Sequence, residues 1–259
     1  NKSSDTISIE DTPDILVKAI IAMEDSRFYS HPGVDLFGVI RAVAVNLIHG
    51  SKKQGASTIT QQLVKNLILV DTRKTYDRKA KEVIRAVALE RLLLSKRNQK
   101  DVKSAIMELY LNEVYLGNHN GRSIIGVERA AKIFFAKPLH KINTGEAAVI
   151  AGIISAPNAY SPIRHPEKAT KRRDIALNRL AAMGWLTDIE TEQWKETKLI
   201  TETPVGIKQS PWFIDYVQAK IDQEFGPGSI SRHGLHISSS INPAVQLIAE
   251  HSIETAIEA

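Results

Sequence analysis

Two carboxylates stand out by their position. Glu24-Asp25 follows Ile15, Leu16, Ala19, Ile20 and Met23, which recur at helical spacing, so the pair sits at the end of the helix they predict. Acidic groups there meet the negative pole of the helix dipole, at a cost of roughly 0.3–1 kcal/mol. Local stability does not select them. Burial against the apolar stretch would raise the Glu24 pKa toward that of a useful general base. A surface carboxylate, or a cap for the next turn, would read the same way. The second carboxylate is Glu82, in Arg78-Lys79-Ala80-Lys81-Glu82 at the start of a basic helix. Arg78, Glu82 and Arg85 share one face of it. That pattern is either a helix-surface ion pair or a carboxylate among cations that hold a phosphate. Paired carboxylates are the usual equipment at a glycosidic centre.

Between the two lies Gly55-Ala56-Ser57-Thr58-Ile59-Thr60-Gln61-Gln62, a turn of small residues feeding a helix N-terminus. Exposed amides and the dipole make such a place ready for an anion. Hydroxyls, amide side chains and Lys65 add donors and charge; a plain N-cap is the alternative. The Gly-Lys-Ser/Thr ending of a nucleotide-binding P-loop is missing, as are a His-Glu-x-x-His metal set, Ser-x-x-Lys and Gly-x-Ser-x-Gly. His31 reads as a structural histidine bonded to backbone, with a base as the alternative. The chain has no cysteine, which excludes disulfides, thiolate zinc sites, iron–sulfur clusters and a thiol nucleophile.

Charge is divided unevenly. Residues 52–103 carry 14 Lys and Arg against 5 Asp and Glu, whereas residues 185–259 carry 5 against 11. A net charge of +5 over 259 residues thus hides a basic middle and an acidic tail. The basic part suits phosphate in some form: nucleic acid, anionic lipid or pyrophosphate. Nucleic acid fits poorly, because residues 52–103 hold one aromatic, Tyr76, for bases to stack on.

The elements that must position these groups read as helices. Thr12 is the expected N-cap of the first, with Pro13 at its first position, and His31-Pro32-Gly33 stops the chain after it. Further helices are expected over 36–47, from a Ser57 cap to 69, and over 76–94, 101–116, 124–135, 144–154 (capped by Thr144) and 167–183, closed by Gly184. Residues 49–56, 71–75 and 117–122 read as loops. After Trp185, Gly, Pro and acidic residues become common. Residues 235–241 alternate like a strand, and Asn242-Pro243 starts a terminal helix. No apolar run reaches the roughly 18–20 residues of a membrane span. The chain opens at Asn1 without Met or a signal pattern, so a piece of a longer protein is expected.

Taken in order, the motifs resemble the peptidoglycan glycosyltransferases, the lysozyme-like domain of class A penicillin-binding proteins and monofunctional transglycosylases. Glu24 to Asp35 resembles the first family motif, Gly55 to Asn66 the second, and Arg78, Lys79, Glu82, Ala86, Leu89 and Glu90 the third. Glu108-Leu109-Tyr110-Leu111-Asn112, with Tyr115 and Gly117, resembles the fourth. Glu146 through Pro157 to Pro162 resembles a fifth stretch. Ala136 stands where the family often has glycine. Ser238 to Asn242 departs from the usual passage into a transpeptidase domain, and the absent Ser-x-x-Lys nucleophile argues against covalent penicillin binding.

The resemblance implies a mainly α fold: a lysozyme-like domain over 1–184, then a short α+β linker over 185–259 that begins a truncated transpeptidase domain. It implies polymerisation of lipid II into β-1,4-linked glycan, with inversion and release of polyprenyl pyrophosphate. Glu24 is then the base, and Glu82 acts near the pyrophosphate through a divalent cation, Mg or Mn; no organic cofactor is implied. Substrate binding falls to Asp25, Phe28, His31, Ser57, Thr58, Gln61, Gln62, Lys65, Asn66, Arg78 and Lys79. A phosphoglycolipid such as moenomycin would compete at Lys65. Residues 34–54, apolar with Lys52 and Lys53, resemble a membrane-dipping segment, where a buried helix with a basic loop is the alternative. The implied partners are lipid II, polyprenyl-pyrophosphate-linked glycan and the membrane surface, with a membrane anchor upstream. The implied place is the outer face of a bacterial cytoplasmic membrane. Rival readings are a hydrolase or lytic transglycosylase acting on finished glycan, and a non-catalytic module for anionic lipid.

Overall fold

The computed structural model describes residues 6–40, 57–68, 76–95, 98–119, 122–199, 201 and 211–225, with pieces of the tail at 240–242, 245–246, 248–249 and 252–253. The chain divides into two compact units, Asn1–Glu202 and Thr203–Ala259.

The first unit is mainly helical, as expected. Its helices are α1 (Asp14–Glu24), α2 (Ile59–Ile68), α3 (Tyr76–Leu94), α4 (Gln99–Glu113), α5 (Val127–Phe135), α6 (Thr144–Ile153), α7 (Pro166–Ala182) and α8 (Asp188–Glu196). Short 3-10 turns lie at Phe28–Ser30 and Leu139–Lys141, and residues 36–40 are helical. The described part of the second unit holds α9 (Pro211–Phe225).

α6 is the centre. Gly145 to Ile153 are buried without a break, as a helix apolar on all sides must be. α1 and α7 pack on α6 and on each other, and α7 also carries α8. Gly152 allows the closest approach, because a Cβ there would lie 2.8 Å from the Arg172 carbonyl on α7. A second group is α2, α3 and α4, each packed on the other two. The candidate site lies where the end of α1 meets the start of α2.

Caps differ from the sequence expectation in three places. Thr12 does not cap α1; its hydroxyl donates to the Ser8 carbonyl, and Pro13 occupies the N-cap position. Thr58, not Ser57, caps α2, because its Oγ accepts from the Gln61 amide while Gln61 Oε1 accepts from the Thr58 amide. Asn143, not Thr144, caps α6 in a full capping box with Glu146.

The expected helix through Leu116 ends at Glu113, and the expected loop at 117–122 belongs to a hairpin. β1 (Tyr115–His119) and β2 (Arg122–Ile125) pair antiparallel, with an irregularity between Tyr115 and Asn118. Ile124 and Ile125 therefore precede α5 as strand, cut from it by Gly126 at φ 82°. Ala136 ends α5 in the left-handed region, φ 51° and ψ 34°, a conformation that favours glycine. Residues 41–56, 69–75 and 226–239 lie outside the described residues. With them lie most of the basic loop and most of the expected strand. Among the described residues no helix is long and apolar enough to cross a membrane.

Candidate active site

α1 delivers Glu24 at its last position, half-buried. No basic residue lies in the last turn of α1. α7 supplies one instead: the Arg179 guanidinium donates to the carbonyls of Met23, at 2.6 Å, and Ala22, at 3.3 Å. This places a cation on the negative end of the helix dipole.

Burial is the main cause that pushes the Glu24 carboxyl above its ordinary 4.5. A hydrogen bond from Gln62, and the charges of Arg172 and Arg179, oppose it; Asp25 adds to it. The Gln62 bond is short, with Nε2 donating to Glu24 Oε2 at 2.7 Å. The Tyr110 hydroxyl donates to the other end of the same amide at 3.0 Å.

Asp25, Phe28 and His31 stand in the packed interior. Both Asp25 oxygens lie 3.0 Å from His31 Nε2, and Oδ2 accepts the Ile59 amide of α2 at 3.1 Å. Asp25 thus pins the end of α1 to the start of α2, where its charge also suits the dipole. His31 bonds to a carboxylate rather than to backbone through its side chain, and its carbonyl accepts from Lys103 at 2.7 Å. Thr58 and Gln61 are equally inward, engaged in the α2 cap, and Thr58 also donates to the Gly33 carbonyl at 2.6 Å. These five residues shape the site from behind: Phe28 by packing, and Asp25, Thr58, Gln61 and His31 Nε2 by bonds to one another and to backbone.

The second group is cationic. Lys79, at the start of α3, donates to Ser57 Oγ at 2.8 Å and to Glu82 Oε2 at 2.9 Å. The Glu82 side chain is 4% exposed, while that of Lys79 is 44% exposed. Glu82 therefore anchors an ammonium that still reaches solvent. Lys65 and Asn66 are exposed one turn along α2 from Gln61 and Gln62. The Arg78 side chain lies outside the described residues. The start of α2 thus joins the two groups: Gln62 leads to Glu24, and Ser57 leads to Lys79 and Glu82.

No three His, Cys, Asp or Glu side chains converge on a metal position among the described residues. Glu82 is a single carboxylate whose Oε2 already takes the Lys79 ammonium.

Sequence reasoning missed the groups that reach in from elsewhere. Tyr110 lies in a quoted motif, and its signal was a phenol on a buried helix face, which needs a partner. Arg172 and Arg179 are seven residues apart on one face of α7. Lys103 and Glu90 are fully buried and paired at 2.9 Å, with Thr60 donating to the same Glu90 oxygen at 2.6 Å. The Lys103 ammonium also lies 4.7 Å from the centre of the Phe28 ring. Nothing local in the sequence announces that network.

Comparison with known proteins bears on the same residues. The family described as Transglycosylase matches residues 1–181. Penicillin-binding protein 1A of Aquifex aeolicus (strain VF5) is 36% identical over 97% of this chain and 33% of its own length. Penicillin-binding protein 1A of Escherichia coli (strain K12) is 35% identical over 97% and 28%. Penicillin-binding protein 1B of Haemophilus influenzae is 32% identical over 99% and 32%. The chain spans about a third of the length of these curated relatives. The crystal structure of penicillin-binding protein 1A from Haemophilus influenzae aligns with a TM-score of 0.49 and 18% identity, over 86% of this chain and 22% of that one. The family match takes in most of the chain, including Glu24, both ends of the α2 start, Tyr110 and Arg179, and the chain belongs to the transglycosylase family.

Proposed function

We propose that the chain is a peptidoglycan glycosyltransferase that extends a glycan strand from lipid II. One observation carries the reading: the start of α2 couples a desolvated carboxylate, through Gln62, to a solvent-reaching ammonium, through Ser57. A base and an anion site joined by one helix start suit a transfer whose leaving group is a pyrophosphate.

In this reading the donor is the growing strand, held through pyrophosphate to a polyprenyl lipid. Glu24 takes the proton from the 4-hydroxyl of the N-acetylglucosamine of an incoming lipid II. That oxygen bonds to the donor's anomeric carbon as the bond from that carbon to the pyrophosphate oxygen breaks, with inversion to a β-1,4 link. Charge grows on the pyrophosphate in the transition state, where preorganised donors act most strongly. Lys79, Lys65, Arg78, Ser57 and Asn66 serve it, and Glu82 holds Lys79 in place. Glu82 would hold a divalent cation, Mg or Mn, whose charge would help neutralise the leaving group.

The lipid places the work at a membrane. Leu36, Phe37 and Ile40 are 70, 68 and 67% exposed, which suits a turn entering the interface of the outer face of a bacterial cytoplasmic membrane. We place the catalytic domain at 1–184 and read 185–259 as the passage to a transpeptidase domain, with α8 docked on α7 at the start of that passage.

The test is polymerisation of purified lipid II, with and without EDTA, by parent chain and Glu24→Gln. Loss of a general base lowers the rate by about 10²–10⁴-fold. Glu24→Gln near parental rate would overturn the base assignment. Release of fragments from sacculi, with no polymer from lipid II, would make the chain a hydrolase or lytic enzyme instead.

A further inference from the structure

Gln62 is a primary amide with one accepting end and one donating end, so fixing either end fixes the other. Its Oε1 accepts from the Tyr110 hydroxyl at 3.0 Å, and its Nε2 donates to Glu24 Oε2 at 2.7 Å. Tyr110 is fully buried on α4, and among the described residues this amide is its hydrogen-bonded link to Glu24. With the amide turned the other way, a carbonyl would face a carboxylate. We propose that Tyr110 is a positioning residue for the base, holding the Gln62 amide with its N–H end on Glu24 so that the carboxylate stays ionised and ready for the acceptor proton. This rests on reading Glu24 as the general base.

The surroundings leave that task to Gln62. Arg172 and Arg179, from α7, favour the Glu24 carboxylate by charge, and Asp25 opposes it. α6, the other helix packed on α1, brings one ionisable side chain, Glu146, and that is paired with Lys137 at 2.6 Å. Among the described residues Gln62 is the one hydrogen-bond donor to Glu24. Its orientation would be lost without a donor behind it. Tyr110 keeps its proton, because burial first, then the charges of Glu24 and Asp25, hold the phenol well above its ordinary range.

A phenol also accepts, which gives the pair a second use. Once Glu24 has taken the proton, its O–H can donate to Gln62 Oε1 if the amide turns over, and Nε2 then donates to the Tyr110 oxygen. The same two side chains satisfy both protonation states. A phenylalanine at 110 would hold neither orientation.

The experiment measures initial rates of lipid II polymerisation between about pH 5 and 9 for the parent, Tyr110→Phe, Gln62→Met and the double variant, with Glu24→Gln as control and melting curves for each. Tyr110→Phe keeps the ring and removes the hydroxyl. Its acidic limb in kcat should move up by about half to one pH unit, with KM unchanged. Gln62→Met should move the limb in the same direction, and the double variant no further than Gln62→Met alone. A Tyr110→Phe that melts lower but keeps the parental limb overturns the proposal. So does a double variant whose shift is the sum of the two. If Tyr110→Phe fails to fold, Gln62→Met carries the test, and an unmoved limb overturns it. An active Glu24→Gln would sink the base reading and this proposal with it. An inactive Glu24→Gln beside an unmoved Tyr110→Phe would sink this proposal alone.

Discussion

Lys103→Met should destabilise the site elements together. The Lys103 ammonium lies 2.9 Å from Glu90 Oε1, 2.7 Å from the His31 carbonyl and 4.7 Å from the Phe28 ring centre. Glu90 Oε1 also accepts from Thr60. One cation therefore joins α2, α3, α4 and the turn at Phe28–His31, and both members of the pair are 1% exposed. Methionine fills a similar volume but leaves the Glu90 carboxylate buried with a hydroxyl for company. Breaking such a pair from one side costs about 3–5 kcal/mol, because the remaining charge is uncompensated. The carbonyl bond and the ring contact vanish with the same ammonium, so their losses belong inside that figure. At about 2–4 °C per kcal/mol for a domain of this size, Tm should fall by about 6–20 °C. Circular dichroism melts and urea titrations at neutral pH read it directly. Lys103→Met/Glu90→Met removes both charges and should recover most of the loss, since an apolar replacement of a buried pair is often neutral or stabilising. A single variant within about 1 kcal/mol of the parent would refute the argument. A double variant no better than the single would refute it too, because the stranded carboxylate would then not be the cause.

Three further outcomes follow from particular geometries. Gly33→Ala should cost about 2–4 kcal/mol in chemical denaturation, because φ is +87° and the new Cβ would lie 2.8 Å from the Ala86 carbonyl of α3. Ala136→Gly should raise Tm by a few degrees, worth about 0.5–1 kcal/mol, by relieving left-handed strain at the end of α5; an unchanged or lower Tm would count against that strain. For Glu24 the folded carboxyl titrates above its ordinary 4.5, chiefly through burial, so the native state keeps a proton the unfolded chain has released. Its contribution to stability is present in full below about pH 4.5 and is lost as pH rises through the raised value. Glu24→Gln should therefore melt above the parent at about pH 7 and level with it at about pH 4; the reverse order would contradict the burial.

What the sequence made legible follows from how local each signal is. α3 was readable at Tyr76–Leu94 because its pattern repeats for 19 residues, and repetition outweighs single substitutions. The hairpin was not, because Ile124-Ile125 continues the apolar run of α5. Only Gly126, through its positive φ, separates strand from helix, and a single glycine inside an apolar run reads ambiguously. The α2 cap was displaced by one residue because Ser57 and Thr58 are both good caps. The choice was made by Lys79, which engages Ser57, and by Gly33, whose carbonyl takes Thr58. Asp25 and His31 were visible as polar residues near Glu24, yet their burial depends on Ile59 and Lys103, which approach from other helices.

The unfavourable local choices at the site share one logic. An acidic pair closes α1, where the dipole opposes it, and the answer comes from distant chain: Arg179 on the carbonyls, Ile59 on the Asp25 carboxylate, Gln62 on Glu24. Each partner is worth little alone, but each acts on a group held away from water, where unmet charge is expensive. Among the described residues no ion pair neutralises Glu24 directly, so burial can raise its basicity. The arrangement needs α7 as much as α1 and α2, since the cation on the α1 carbonyls is Arg179. The family match ends at residue 181, two positions beyond it. The smallest unit able to hold Glu24 in this state therefore runs through α7, although among the described residues α7 adds none to the Lys79–Glu82 cluster.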